Sequence, residues 1–181
     1  LSRRVIGIDP GLSGAIAIYD GEEIDVWEMP LRTVAKQRRR TVTRQVQGEK
    51  IKSKKMVEVG QNYVDEEGLH ELMLDKKFNG TAPRVYLEEV HAMPQQGVTS
   101  MFNFGMAYGI VRGMFSSWEY EIVDVRPQEW RKYLDVLPDK EGSIITATAL
   151  MPDGVGEWHS HDGKAEAALI AYYGWEKENE R

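Results

Sequence analysis

The chain has 181 residues, 41% of them hydrophobic, with a formal net charge of −6 at pH 7. That is enough for one well-buried domain and short for two. With no cysteine present, disulfides, thiolate zinc sites and a cysteine nucleophile are excluded. No run approaches the roughly 20 apolar residues that a membrane span needs, and the opening Leu1 to Asp9 passes into a strand-like segment without an apolar signal region, so a soluble, cytoplasmic protein is expected.

The charge is segregated. Between Arg32 and Lys55 lie ten Lys or Arg residues and one acid, Glu49, a local charge of +9 that leaves −15 on the other 157 residues. A basic arm on an acidic body suits phosphate contact through the arm, with Arg38, Arg39, Arg40, Arg44, Lys52, Lys54 and Lys55 as its candidate contacts. The alternative is a solvated charge run with no ligand.

Val5 to Ile8, Ala15 to Tyr19 and Ile24 to Trp27 read as three antiparallel strands, the last two joined across Asp20-Gly21, a hairpin pair. Leu31 to Gln61 has no sustained apolar period, which predicts an ordered basic excursion or a mobile loop. A helix follows over Asp65 to Lys77, with Leu69, Leu72, Met73 and Lys76 at helical spacing, ended by Asn79-Gly80. Arg84 to Val90 reads as a strand, Pro94 to Gly97 as a turn, and Val98 to Ser116 as a long helix. Next come a strand over Glu121 to Val125, a helix from Pro127 to about Leu134, a helix over Lys140 to Leu150, and a last helix from Ser160 or Asp162 that buries Ala165, Ala168, Leu169 and Tyr172. This order predicts one α/β domain, a mixed sheet flanked by helices, with a basic insertion at about 32–60.

Four carboxylates in different local contexts carry the chemistry. Asp9 ends a buried strand before Pro10-Gly11, where a glycine turn lets a metal or phosphate approach the backbone; Asp before Pro-Gly is also a common turn initiator. Glu88 and Glu89 sit in V-Y-L-E-E-V and point to opposite faces of a strand, and periodicity does not choose between them. Asp162 and Glu166 are four apart and share one helix face, with a helix cap as the plain alternative for Asp162. Hard divalent cations take oxygen ligands, and a two-metal site gathers several carboxylates from separate elements. His159 and His161 give too few ligands for zinc. His161 is read as supporting the site, as is Glu89.

Together these segments resemble Holliday junction resolvases of the RuvC type, within the RNase H-like nuclease superfamily, and in particular their shorter phage and bacterial branch. V-I-G-I-D-P-G is similar to that family's first-strand motif, L-E-E-V to its second acidic strand, F-G-M-A-Y-G to its glycine-spaced helix, and the closing helix to its acidic metal-binding helix. The resemblance implies an RNase H-like sheet of five strands, three antiparallel and then two parallel. It implies a site of Asp9, Glu88, Asp162 and Glu166 holding two Mg2+ ions, with Mn2+ as a substitute. It favours Glu88 over Glu89, and implies metal-assisted hydrolysis of four-way DNA junctions by a homodimer in the bacterial or phage-infected cell. It also implies DNA contacts from Arg131, Lys132 and Lys140, with His91 and Met93 near the junction centre and Met101, Phe102, Phe104, Met106 and Tyr108 at the dimer interface. Two features depart from the family: Val34 to Gly60 has no equivalent, and Gly163 stands where many relatives carry an acid three residues before the last ligand. The rival readings are an actin-like ATP-binding domain, a non-catalytic junction binder, and an RNase H-like enzyme acting on other branched DNA or RNA–DNA hybrids. Nothing after Glu89 repeats the glycine-rich turn that the first requires, so no nucleotide cofactor is expected.

Overall fold

The computed structural model describes residues 4–46, 48–75, 77–78, 84–91, 97–138 and 141–180. Its body is a five-stranded sheet built from β1 (Val5–Asp9), β2 (Ala15–Tyr19), β3 (Ile24–Glu28), β6 (Arg84–Glu88) and β7 (Ile122–Val125), in the order β3-β2-β1-β6-β7. β1, β2 and β3 are antiparallel neighbours, whereas β6 runs parallel to both β1 and β7. The mixed sheet predicted from the element order is therefore present, with the three antiparallel and two parallel strands that the resemblance implied.

Residues of β1 alternate between two cores, as the strand period of two requires. Ile6 and Ile8 enter a cluster with Leu69 and Met73 of α1 (Glu66–Met73) and with Ala107, Val111 and Phe115 of α2 (Val98–Ser117). Val5 enters the opposite cluster, with Trp130 of α3 (Pro127–Tyr133), Ala147 of α4 (Gly142–Leu150) and the buried alanines of α6 (Asp162–Asn179). A short helix, α5 (Val155–Trp158), which the sequence did not predict, inserts Trp158 into this second core.

α6 lies unusually close to the sheet. Its Ala165, Ala167, Ala168 and Ala171 have no exposed surface, and a Cβ added at Gly7 of β1 would overlap the backbone of Ala167 and Ala171. Small residues on both sides thus allow near backbone contact, and the burial is wider than the single stripe predicted. Arg84 and Tyr86 of β6 also donate hydrogen bonds of 2.8 Å each to the buried Glu178 carboxylate at the helix's far end.

The basic excursion is ordered as a ribbon of two antiparallel strands, β4 (Leu31–Val46) and β5 (Glu49–Val64), 16 residues each. At about 3.4 Å per residue this ribbon is on the order of 50 Å long. Its apolar signal is weak because it is a separate two-stranded sheet, with most side chains exposed on both faces. Several predicted ends shift inward: α1 stops at Met73, not Lys77, and β6 stops at Glu88, not Val90. Lys76, the Asn79-Gly80 stop and Pro94 to Gln96 of the predicted turn lie outside the described residues, as do Met93 and Lys140.

Candidate active site

Strand pairing brings the first two carboxylates together. The parallel register pairs Gly7 with Tyr86 and Ile8 with Leu87, so the next residues along, Asp9 and Glu88, end adjacent strands side by side. Alternation puts Glu88 on the face of Tyr86, which packs against Gly174 of α6. Glu89 points away from that face, makes an ion pair with Arg126 at 3.3 Å and has His91 Nε2 3.5 Å from its carboxylate. The register that periodicity left open is thus fixed by the neighbouring strand and helix. Carboxyl ends of parallel strands are also where open α/β sheets hold ligands.

The other two acids arrive on α6. A Cβ at Gly163 would overlap the carbonyl oxygen of Ser13, so the helix start is pressed against the turn that follows Asp9. An acid at position 163 is therefore sterically excluded here. His161, not Asp162, caps the helix: its Nδ1 accepts from Lys164 N–H at 3.1 Å. Asp162 opens the first turn, exposed, with Oδ1 accepting from Gly163 N–H at 3.0 Å. One turn further on, Glu166 is half-buried and accepts from Ser143 Oγ at 3.0 Å and from the Arg131 guanidinium.

The electrostatics are those of carboxylates awaiting positive charge. Burial lifts the Asp9 carboxyl from 3.8 to about 6; the Gly11 N–H at 3.0 Å pulls it down, and the charges of Glu166 and Asp162 push it up. Burial also lifts Glu88 from 4.5 to about 7, reinforced by the Asp9 charge and opposed by the Trp130 indole N–H, which donates to Glu88 Oε1 at 3.0 Å. Asp9 is the hub of this mutual repulsion. Arg131 is the one described cation within the group; it stacks over the Trp130 ring at 4.8 Å and lowers both Asp9 and Glu88.

As a donor set, four carboxylates from three elements suit a hard divalent cation. Among the described residues no three Asp, Glu or His side chains already converge as a closed ion cage. Glu166 is turned to Arg131 and Ser143. The fit is therefore chemical, by donor type and unrelieved negative charge.

Beside the site a groove runs from Gly11, Leu12 and Ser13 past Ser100 and Asn103 of α2, and on to Arg38, Arg39 and Arg40 of the ribbon. Of the other predicted contacts, Lys132 and His91 are exposed, whereas Arg131 is turned inward to the carboxylates. Sequence reasoning missed Trp130 and Ser143. Trp130 had a signal, as a large aromatic beside Arg131 in a short polar helix; Ser143 had none.

No family model matches the chain, and no curated protein matches it. Solved structures do. The structure of Thermus thermophilus RuvC in complex with a Holliday junction substrate matches at 13% identity and a TM-score of 0.50, covering 97% of this chain and 96% of that one. A second Thermus thermophilus RuvC structure matches at 15% identity with the same TM-score and coverage. The fold is RuvC-like. In this RuvC-like frame the carboxylates lie where β1, β6 and α6 meet, and the ribbon projects from the edge strand β3 through residues 29–31.

Proposed function

We propose that the chain is a metal-dependent, structure-selective endonuclease that resolves four-way DNA junctions by paired phosphodiester hydrolysis. One observation carries this reading: Asp9 and Glu88 stand half-buried side by side at the carboxyl ends of β1 and β6, both carboxyls raised by desolvation, with the acids of α6 repelling them. Such a cluster is unfavourable unless cations enter it. The Thermus thermophilus protein that shares this fold is known in complex with a Holliday junction substrate, and the basic ribbon supplies the phosphate-binding surface that such a substrate needs.

Asp9, Glu88, Asp162 and Glu166 would hold two ions of the magnesium or manganese type. When bound, such ions supply an activated water and stabilise charge on the leaving oxygen. The chain's own groups prepare the place. Gly11 N–H and Trp130 N–H orient Asp9 and Glu88, and Ser143 and Arg131 position Glu166 by hydrogen bonds. Arg131, once Glu166 turns to an ion, is free to face a phosphate. Lys132 and His91, both exposed, are further DNA contacts.

A homodimer completes the reading, because a two-fold protein on a pseudo-two-fold junction places one site at each of two strands. α2 offers a surface for it: Val98 and Phe102 are 83% and 70% exposed, and open space lies over Gly105, Gly109 and Gly113. Met101, Phe104, Met106 and Tyr108 are half-buried on the same helix. Phe102→Glu is expected to shift the protein to monomers in analytical ultracentrifugation.

The substrate is tested by offering labelled four-way DNA junction, linear duplex and RNA–DNA hybrid, each with Mg2+, Mn2+ or EDTA. Paired nicks in the junction alone, lost in EDTA, are expected. Metal-dependent cutting of hybrid or linear duplex would change the substrate, and tight junction binding without cutting would replace the enzyme with a junction-binding protein.

A further inference from the structure

The ribbon has two faces, and the sequence charges both. Strand side chains alternate, so the register that pairs Arg38 with Val57, Arg40 with Lys55 and Arg44 with Ile51 puts Arg38, Arg40, Arg44 and Lys55 on one face. The intervening pairs, Arg39 with Met56, Thr41 with Lys54, Thr43 with Lys52 and Gln45 with Lys50, put four cations on the other. In this outer stretch the acid is Glu49, beside the turn. All eight cations are exposed, and none is ion-paired or hydrogen-bonded among the described residues. Arg40 and Lys55 stand directly opposite each other, an arrangement that destabilises a ladder. Water screens this charge, yet with no acid but Glu49 of its own to pair with, the outer ribbon is a surface suited to an external polyanion.

One linear duplex does not use this arrangement. A ribbon laid flat on a duplex, or along a major groove about 12 Å wide, engages one face and turns the other to solvent. Two duplexes engage both. The outer ribbon spans roughly 30 Å, and over that length each duplex presents a phosphate about every 1.7 Å, so neither backbone lacks partners for four cations. The inner end of this stretch, Arg38 to Arg40, borders the groove through Leu12 and Asn103 that leads to the Asp9 turn.

We infer that the outer ribbon is a wedge between two duplex arms of a branched DNA, the Arg38, Arg40, Arg44 and Lys55 face on one backbone and the Arg39, Lys50, Lys52 and Lys54 face on the other. The wedge rests on the reading that the substrate is branched DNA, and it gives that reading a physical cause. A branch point brings two duplexes within one ribbon thickness of each other, and an isolated linear duplex does not.

The test titrates full-length protein in EDTA, where nothing is cut, against a fluorescent four-way junction and a linear duplex of matching sequence. Wild type is compared with R38Q/R40Q/R44Q/K55Q and with R39Q/K50Q/K52Q/K54Q, and thermal melting checks that each variant is folded. Each face variant is expected to lose about 10-fold or more in junction affinity and to lower the salt slope of junction binding by about 3 to 4, with linear-duplex affinity falling less than about 3-fold because the intact face still serves it. If one face is silent, and the other weakens junction and linear duplex by the same factor, the wedge is overturned and the ribbon lies flat on a single duplex. If wild type binds both DNAs equally, the branched-DNA reading itself fails, and the wedge fails with it.

Discussion

The carboxylate site and the ribbon store opposite charges by opposite means. The site draws residues 9, 88, 130, 131, 143, 162 and 166 from five elements, and packing of those elements brings its like charges together. The ribbon uses two strands of 16 residues each that pair with one another, and its like charges are tolerated because water reaches them. Repulsion between partly desolvated acids needs a rigid frame, whereas repulsion between exposed cations needs only a register. Substitutions in the two regions should therefore behave differently.

The largest contrast is in packing. Gly7→Ala forces a methyl into the backbone of α6 and is expected to destabilise the protein by about 3 kcal/mol or more in urea denaturation, as overpacking against immovable atoms does. Replacing the outer ribbon, residues 38–57, by Asn-Gly joins Gln37 to Glu58 through a two-residue hairpin turn. That change is expected to alter body stability by less than about 1 kcal/mol, since the removed side chains are almost all exposed. A comparable loss from both would erase the contrast.

Next is the burden of the buried acids in metal-free protein. Asp9 and Glu88 titrate higher folded, at about 6 and about 7, than their ordinary 3.8 and 4.5. The folded state therefore binds more protons across that window, so these two groups lower stability as pH rises from about 4 to 7 and restore it as pH falls. Asp9→Asn or Glu88→Gln removes the burden, and each is expected to raise metal-free stability at pH 7.5 by on the order of 2 kcal/mol while flattening its pH dependence. A destabilised pair of variants with unchanged pH dependence would mean that neither desolvation nor the neighbouring charges raise these acids in the folded protein. Saturating Mg2+ is expected to reverse the order, stabilising wild type above either variant.

Smaller effects sharpen the picture. Trp130→Phe keeps the buried ring and deletes the N–H donated to Glu88, for an expected loss of about 1 kcal/mol. Because that donor holds Glu88 down, its removal should move the acidic limb of the pH–rate profile upward. Smallest in stability is Arg40→Glu, which turns a repulsive cross-strand pair with Lys55 into an attractive one, with an expected gain of a few tenths of a kcal/mol at low salt. Its junction affinity should fall all the same.

How much was legible in the sequence follows the same division. β1, β2, β3 and α2 were readable because their apolar periods and turn residues are local. Asp9, Asp162 and Glu166 were readable as candidates, but the choice of Glu88 over Glu89 depends on which neighbours lie on each face of β6, which no local period encodes. The ribbon's charge was plain, yet its strands were not, because with both faces exposed nothing enforces alternation of apolar and polar residues. The roles of Ser143 and the inward-turned Arg131 arise only when α3 and α4 pack over α6. Gly163, a departure in sequence, has a reason in space, since the Ser13 carbonyl occupies the place of any side chain there.

Asp9 is the centre of the proposed cation-dependent cutting site. The direct measurement is the nicking rate of Asp9→Asn beside wild type, on a four-way junction with Mg2+, with junction binding followed in the same samples. Nicking is expected to fall by at least about 1000-fold, as when charge stabilisation at a reacting phosphate is lost, while the junction is still bound. Cutting by Asp9→Asn at the wild-type rate would contradict the assignment of the site.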